Sequence, residues 1–274
     1  MSDSTRETAL APPPRGSEAA NAFFKASGSD LQLLQFITET VLAGDWVTYV
    51  AGQALDGKED FKERDPARLA KEQPGSRTSF LRGKRQTLLQ MFVSRSVDNL
   101  QTYLVDLIRI VLRARPDLLK TSKQSLTLEE ILKHDTIDDL VHEVIERKVS
   151  SLSYEGFAAL QEWCCTRGIP IQVPDQDLDA LVELIATRNV IAHARGVVDE
   201  RYARTVTSPR FKIGTLRKLQ VDDFFAAITL LHRIVSETDN AATEKFGLPC
   251  VEIMPPKDGH GAGKSDERSP PPRA

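Results

Sequence analysis

Arg188-Asn189-Val190-Ile191-Ala192-His193 is the stretch on which the reading of this chain turns. With Leu178 set at zero and a step of about 100° per residue, an α-helix gathers Leu184, Leu181, Ala192, Ile185, Leu178 and Val182 into one arc. Asp179, Glu183 and Thr187 fall opposite. Arg188 lands inside the apolar arc, between Leu184 and Leu181. Asn189 lies between Leu178 and Val182, and His193 sits at the arc's edge, one turn from Asn189. A guanidinium on a core-facing stripe costs several kcal/mol of desolvation unless something pairs with it. Two explanations follow: a structural ion pair, with Asp98 or Asp106 as the acid, or a cleft that receives an anion. Arginine, four residues and histidine is a weak pattern by itself; its placement on the helix gives it weight. Gly196 follows three residues after His193 and suits a left-handed helix end, which puts His193 in the last turn.

Outward from this helix, apolar residues recur at helical spacing through most of the chain. Leu89, Val93, Val97, Leu100, Leu104, Leu107, Ile108 and Val111 mark a helix of seven to nine turns that Pro116 stops. Thr127 to Leu132 has the capping-box spacing, with Glu130 three residues after Thr127. Ile137–Val149 and Tyr154–Arg167 give two further helices, and Gly168-Ile169-Pro170 turns the chain before the Arg188/His193 helix begins near Asp175. Val197–Leu219 is a basic loop with β-branched residues suited to short strands. Phe225, Ile228, Leu231, Val235 and Ala242 stripe a last helix, from Asp222 to about Phe246. The fold class is all-α: a bundle of four to five main helices over residues 79–250. Residues 21–78 read as a short helical segment, broken near Gly44-Asp45, and a charged linker. Residues 1–20 and 251–274 read as disordered tails.

The net charge of −3 announces no global attraction to nucleic acid, but basic residues cluster locally. Between Arg188 and Lys218 eight of them face only Asp199 and Glu200; a second run is Arg77, Arg82, Lys84, Arg85 and Arg95. Solvated loops explain each run singly, yet the first abuts the Arg188/His193 helix, which suits a phosphate-tracking role. No apolar run reaches a membrane span's length, and Met1–Ser17 lacks a signal pattern, so a cytoplasmic protein is expected. Cys164, Cys165 and Cys250 are an odd number without metal-ligand spacing, which points to reduced thiols; the adjacent pair reads as packing beside Trp163. His134, His142 and His232 read as structural or exposed, and Tyr103 and Tyr202 as packing residues able to flank a cleft.

The RNxxxH segment, followed by Gly196, Asp199 and Tyr202, resembles the HEPN domain family of prokaryotic defence and toxin proteins. The preceding Phe92-Val93-Ser94-Arg95 through Tyr103-Leu104 and the later Lys245-Phe246-Gly247 share in the likeness, which covers roughly residues 80–247. The resemblance implies a bundle that forms a homodimer with a composite site, where two Arg/His helices meet. It also implies a metal-independent, cofactor-free ribonuclease that cuts through the ribose 2′-hydroxyl. On that likeness His193 is general acid/base, Arg188 holds the scissile phosphate, and Asn189 positions His193 or the 2′-hydroxyl. Arg195, Arg201, Arg204 and Lys212 are candidates for further RNA contacts, and an inhibitory or regulatory protein is a possible partner. The alternative is a non-catalytic module that dimerises, binds a partner through its N-terminal segment, or binds a nucleotide.

Overall fold

The computed structural model describes residues 11–57, 65–120, 126–208 and 210–253. The chain starts in an extended piece, β1 (Arg15–Gly16), whose Arg15 and Gly16 pair antiparallel with Glu252 and Val251 of β2 (Val251–Glu252). Ser17 then caps α1 (Glu18–Leu55) by accepting from the Ala20 amide. This junction corrects the expectation of tails at 1–20 and from 251. Asp239 accepts the Ser17 amide at 2.8 Å and its hydroxyl at 2.5 Å, and Ile253 is buried. Apolar content does not reveal such a seam, because its energy lies in backbone pairing and one buried carboxylate. The parts of the expected tails at 1–10 and 254–274 lie outside the described residues.

The expected break at Gly44-Asp45 does not occur: α1 runs through it for 38 residues. Asp45 turns inward, and its carboxylate accepts the amides of Arg77 and Thr78 at 3.2 and 2.7 Å. It thereby satisfies the orphan N–H groups that open α3 (Ser76–Gly83), whose own N-cap, Gly75, has no side chain to do so. Beside it, α2 (Pro66–Glu72) occupies part of the expected linker, capped by Asp65. Three members of the second basic run serve structure: Arg77 bonds the Gly44 carbonyl, Arg82 the Ala70 carbonyl, and Arg95 the Asp30 carboxylate.

The long helix predicted from the leucine and valine spacing is α4 (Arg85–Ala114). It is the axis of the bundle, with Val97, Leu100, Leu104, Leu107, Val111 and Leu112 essentially sealed from solvent. A capping box at Thr127 and Glu130 opens α5 (Leu128–Leu132), as the spacing predicts. Thr136 caps α6 (Ile137–Glu155); Gly156, with φ at 85°, then breaks direction into α7 (Phe157–Thr166). α8 (Asp175–Ala194) carries the Arg188/His193 segment. Among its described residues the basic loop beyond it forms no strand; it holds α9 (Glu200–Thr205), capped by Asp199, and a bridge between Val197 and Leu216. α10 (Val221–Phe246) closes the bundle. α1, α6, α8 and α10 all pack on α4. Among the described residues no helix is long and apolar enough to cross a membrane.

Candidate functional site

α8 is gripped from two sides, and this corrects the arc read from its sequence. Leu181 and Leu184 join the main core against α4. Ala186 and Val190 join a second, small core with Val198, Tyr202 and Val206, built by α9 and its flanking loop. Thr187, polar and opposite the expected apolar stripe, is buried, as is the acidic Asp177. Between the two grips lies an open face. Leu178 is 42% exposed, Ala192 is exposed, and Val182 and Ile185 are only half buried. The sequence arc therefore straddles a core edge and an open surface, because a single-face reading cannot anticipate a second packing partner.

That open face carries the motif. Arg188, Asn189 and His193 line one cleft of about 670 Å³, with Val182 and Ile185 as its apolar wall. The opposite wall comes from the α6–α7 junction, Ser153 to Ala158, and Asp199, Arg201 and Tyr202 bound a third side. Arg188 is held: its Nε donates to Asp98 Oδ1 at 2.8 Å, and its Nη1 to Asn189 Oδ1 at 3.4 Å. Asp98 was one of the two acids expected for such a pair; Asp106 bonds Arg109 instead. The guanidinium keeps a quarter of its surface open and the Asp98 carboxylate about half, so the pair sits at the cleft's rim rather than in the core. His193 is exposed in the last turn of α8. The left-handed end of that helix falls on Arg195, φ 53°, as well as on Gly196, φ 78°. A Cβ at Gly196 would lie 2.5 Å from Gln90 Nε2, so glycine there lets the loop sit against α4.

Of the residues expected to contact RNA, Arg201 lines the cleft. Arg195, Arg204 and Lys212 are exposed elsewhere, Arg204 reaching its helical neighbour Glu200. Two other members of the basic stretch serve structure. Arg217 is 5% exposed and donates to Glu183 Oε1 at 3.0 Å, and Arg210 reaches the same oxygen at 3.5 Å. Tyr202 donates its hydroxyl to that oxygen at 3.2 Å, and burial is the main cause that pushes the phenol's pKa up. Tyr202 thus joins the cleft to a polar knot on another face of α8, where Glu183, Arg210 and Arg217 border a second cavity of about 550 Å³. Tyr103 does not flank the cleft; it is buried beside Phe23 with its hydroxyl toward Asp239. Gln101, Tyr154 and Glu155 are cleft residues that periodicity did not single out, since each is polar or at a helix end and carries no pattern.

Among the described residues no three His, Cys, Asp or Glu side chains are grouped so that they could hold a metal ion. The chain matches no family model, no curated protein and no solved structure.

Proposed function

We propose that this protein is an endoribonuclease of the HEPN type that cuts RNA through the ribose 2′-hydroxyl without a metal ion. The observation that carries the reading is the convergence of Arg188, Asn189, His193 and Arg201 on one open cleft. RNA brings its own nucleophile, so proton transfer and charge stabilisation are all the protein must add. An imidazole takes the 2′-hydroxyl proton as that oxygen attacks phosphorus, and the 5′-oxygen leaves with a proton from a second acid. The products are a 2′,3′-cyclic phosphate and a 5′-hydroxyl. Arg188, pre-aimed by Asp98, offers its planar donor fork to the non-bridging oxygens as charge grows on them.

His193 lies five positions after Arg188, a rise of about 7.5 Å and a turn of about 140° around the helix. One chain presents a single motif histidine, so a homodimer in which two α8 helices face each other supplies the second acid/base group. The half-exposed apolar strip of Leu178, Val182, Ile185 and Ala192 gives such a contact its apolar surface. The HEPN resemblance makes a defence or toxin setting the biological expectation.

The test is cleavage of a broad RNA set by wild type and His193→Ala, with chelator present and product ends analysed. His193-dependent cutting that leaves 2′,3′-cyclic phosphate ends and spares DNA is expected; equal rates in the two proteins would overturn the reading. The Arg188–Asp98 pair favours a second reading, a non-catalytic module in which Arg188 is only a structural ion-pair partner. That reading expects no cutting and a loss of stability in Arg188→Ala.

A further inference from the structure

The outer half of α1 presents a second apolar face that the bundle does not use. Its inner face is set by Phe24, Ser27, Asp30 and Asp45, all buried, with Leu31 and Leu34 packed against the core. Roughly opposite, the positions 33, 36, 40, 43, 47, 50 and 54 alternate steps of three and four, the spacing of a coiled-coil seam over three heptads. They are Leu33, Phe36, Thr40, Ala43, Val47, Val50 and Ala54. Leu33 is 51% exposed, Phe36 62% and Val47 64%; Thr40, Ala43 and Ala54 are also exposed, and Val50 is half buried. Scattered apolar residues on a surface mean little, whereas an ordered seam with heptad spacing does.

We infer that this seam binds the same seam of a second copy of the chain, as an antiparallel two-helix coiled coil. Side-chain volume selects the orientation. A parallel, in-register pair would stack Phe36 on Phe36 and, one layer beyond Thr40, Ala43 on Ala43, which no single helix spacing accommodates. Run antiparallel about a two-fold axis near residue 45, each layer pairs larger with smaller: Phe36 with Ala54 of the second copy, Thr40 with its Val50, Ala43 with its Val47. The layers then have similar volume along their length. Charge agrees. Residues 31–55 contain only Glu39 and Asp45 as charged groups; Asp45 is buried against α3, and Glu39 accepts from Gln35 of its own helix. No like charges therefore meet across the seam in this register. In this register the paired layers run from 36 to 54, about 27 Å of continuous helix on each copy.

This contact is independent of the α8 cleft, so its test does not depend on RNA cleavage. Light scattering during gel filtration is expected to give Val47→Glu half the wild-type mass when α1 is the sole contact, and a mass below wild type in an assembly that also uses α8. Phe36→Glu should do the same. Both sites are exposed, so unchanged helical circular dichroism is the control for folding. Equal masses for wild type and both variants would overturn the inference and leave the seam to a different protein. Orientation is read by oxidative cross-linking in a Cys165→Ser, Cys250→Ser background. Phe36→Cys combined with Ala54→Cys should form a covalent dimer, and Phe36→Cys alone should not, since its two copies stand about 27 Å apart. Cross-linking of Phe36→Cys alone would overturn the antiparallel arrangement.

Discussion

Arg188 Nε and Asp98 Oδ1 lie 2.8 Å apart, joining the motif helix α8 to the central helix α4 at the rim of the cleft. Because both groups remain partly open to solvent, the pair adds well under about 1 kcal/mol to stability. Its consequence is aim. A guanidinium fixed through Nε is held with its remaining donors in a defined plane.

Asp98→Ala should therefore keep the fold and lower RNA cleavage by roughly tenfold, while Arg188→Ala, which removes the donors themselves, should cost about 10²–10³. Single-turnover kinetics on a cleaved RNA measures both. A loss of stability without any loss of rate in Asp98→Ala would favour the purely structural reading of the pair.

Asp45 is the internal cap of α3, and its removal leaves two amides without their acceptor. Asp45→Ala should lower unfolding free energy by about 1–3 kcal/mol. Urea titration gives the figure, and amide exchange should report the loss first at residues 76–79. Gly75→Ala should be damaging for a related reason, since its Cβ would overlap the Asp45 carboxyl group.

Glu130 gives a pH dependence with a definite sign. The Thr127 backbone amide, with Arg147 next, lowers its pKa from 4.5 to about 2. A carboxylate with a depressed folded value contributes stability that is fully present above the unfolded value and disappears as pH falls through the folded one. Amide protection across 127–132 should hold at pH 6 and fade between pH 4.5 and 2. Glu130→Gln should remove most of that dependence.

Cys164 is buried, and that burial pushes its thiol up to about 12, whereas Cys165 beside it is exposed, as is Cys250. Thiolate is the reactive form. Iodoacetamide at pH 8 followed by peptide mass spectrometry should label Cys165 and Cys250 in the native protein, and Cys164 only after denaturation.

The sequence alone determined the helices whose cause is local. α4 followed from one apolar stripe and Pro116, α5 from a capping box, and the end of α8 from its glycine. It also placed Arg188, Asn189 and His193 on one helix and named Asp98 and Asp106 as candidate partners for the arginine, between which the structure chose Asp98. Tertiary structure decided what no window of sequence contains. The grip on α8 from two sides came from α9, so the arc that looked like core became half core and half cleft wall. Gly44-Asp45 looked like a helix stop because its inward carboxylate answers amides 32 and 33 residues away. The N-terminal segment looked like a tail because its hold on the fold is a two-residue ladder and one buried Asp239, both more than 220 residues distant. Periodicity records which side of an element is apolar. Which sides are covered depends on the elements that arrive from elsewhere in the chain.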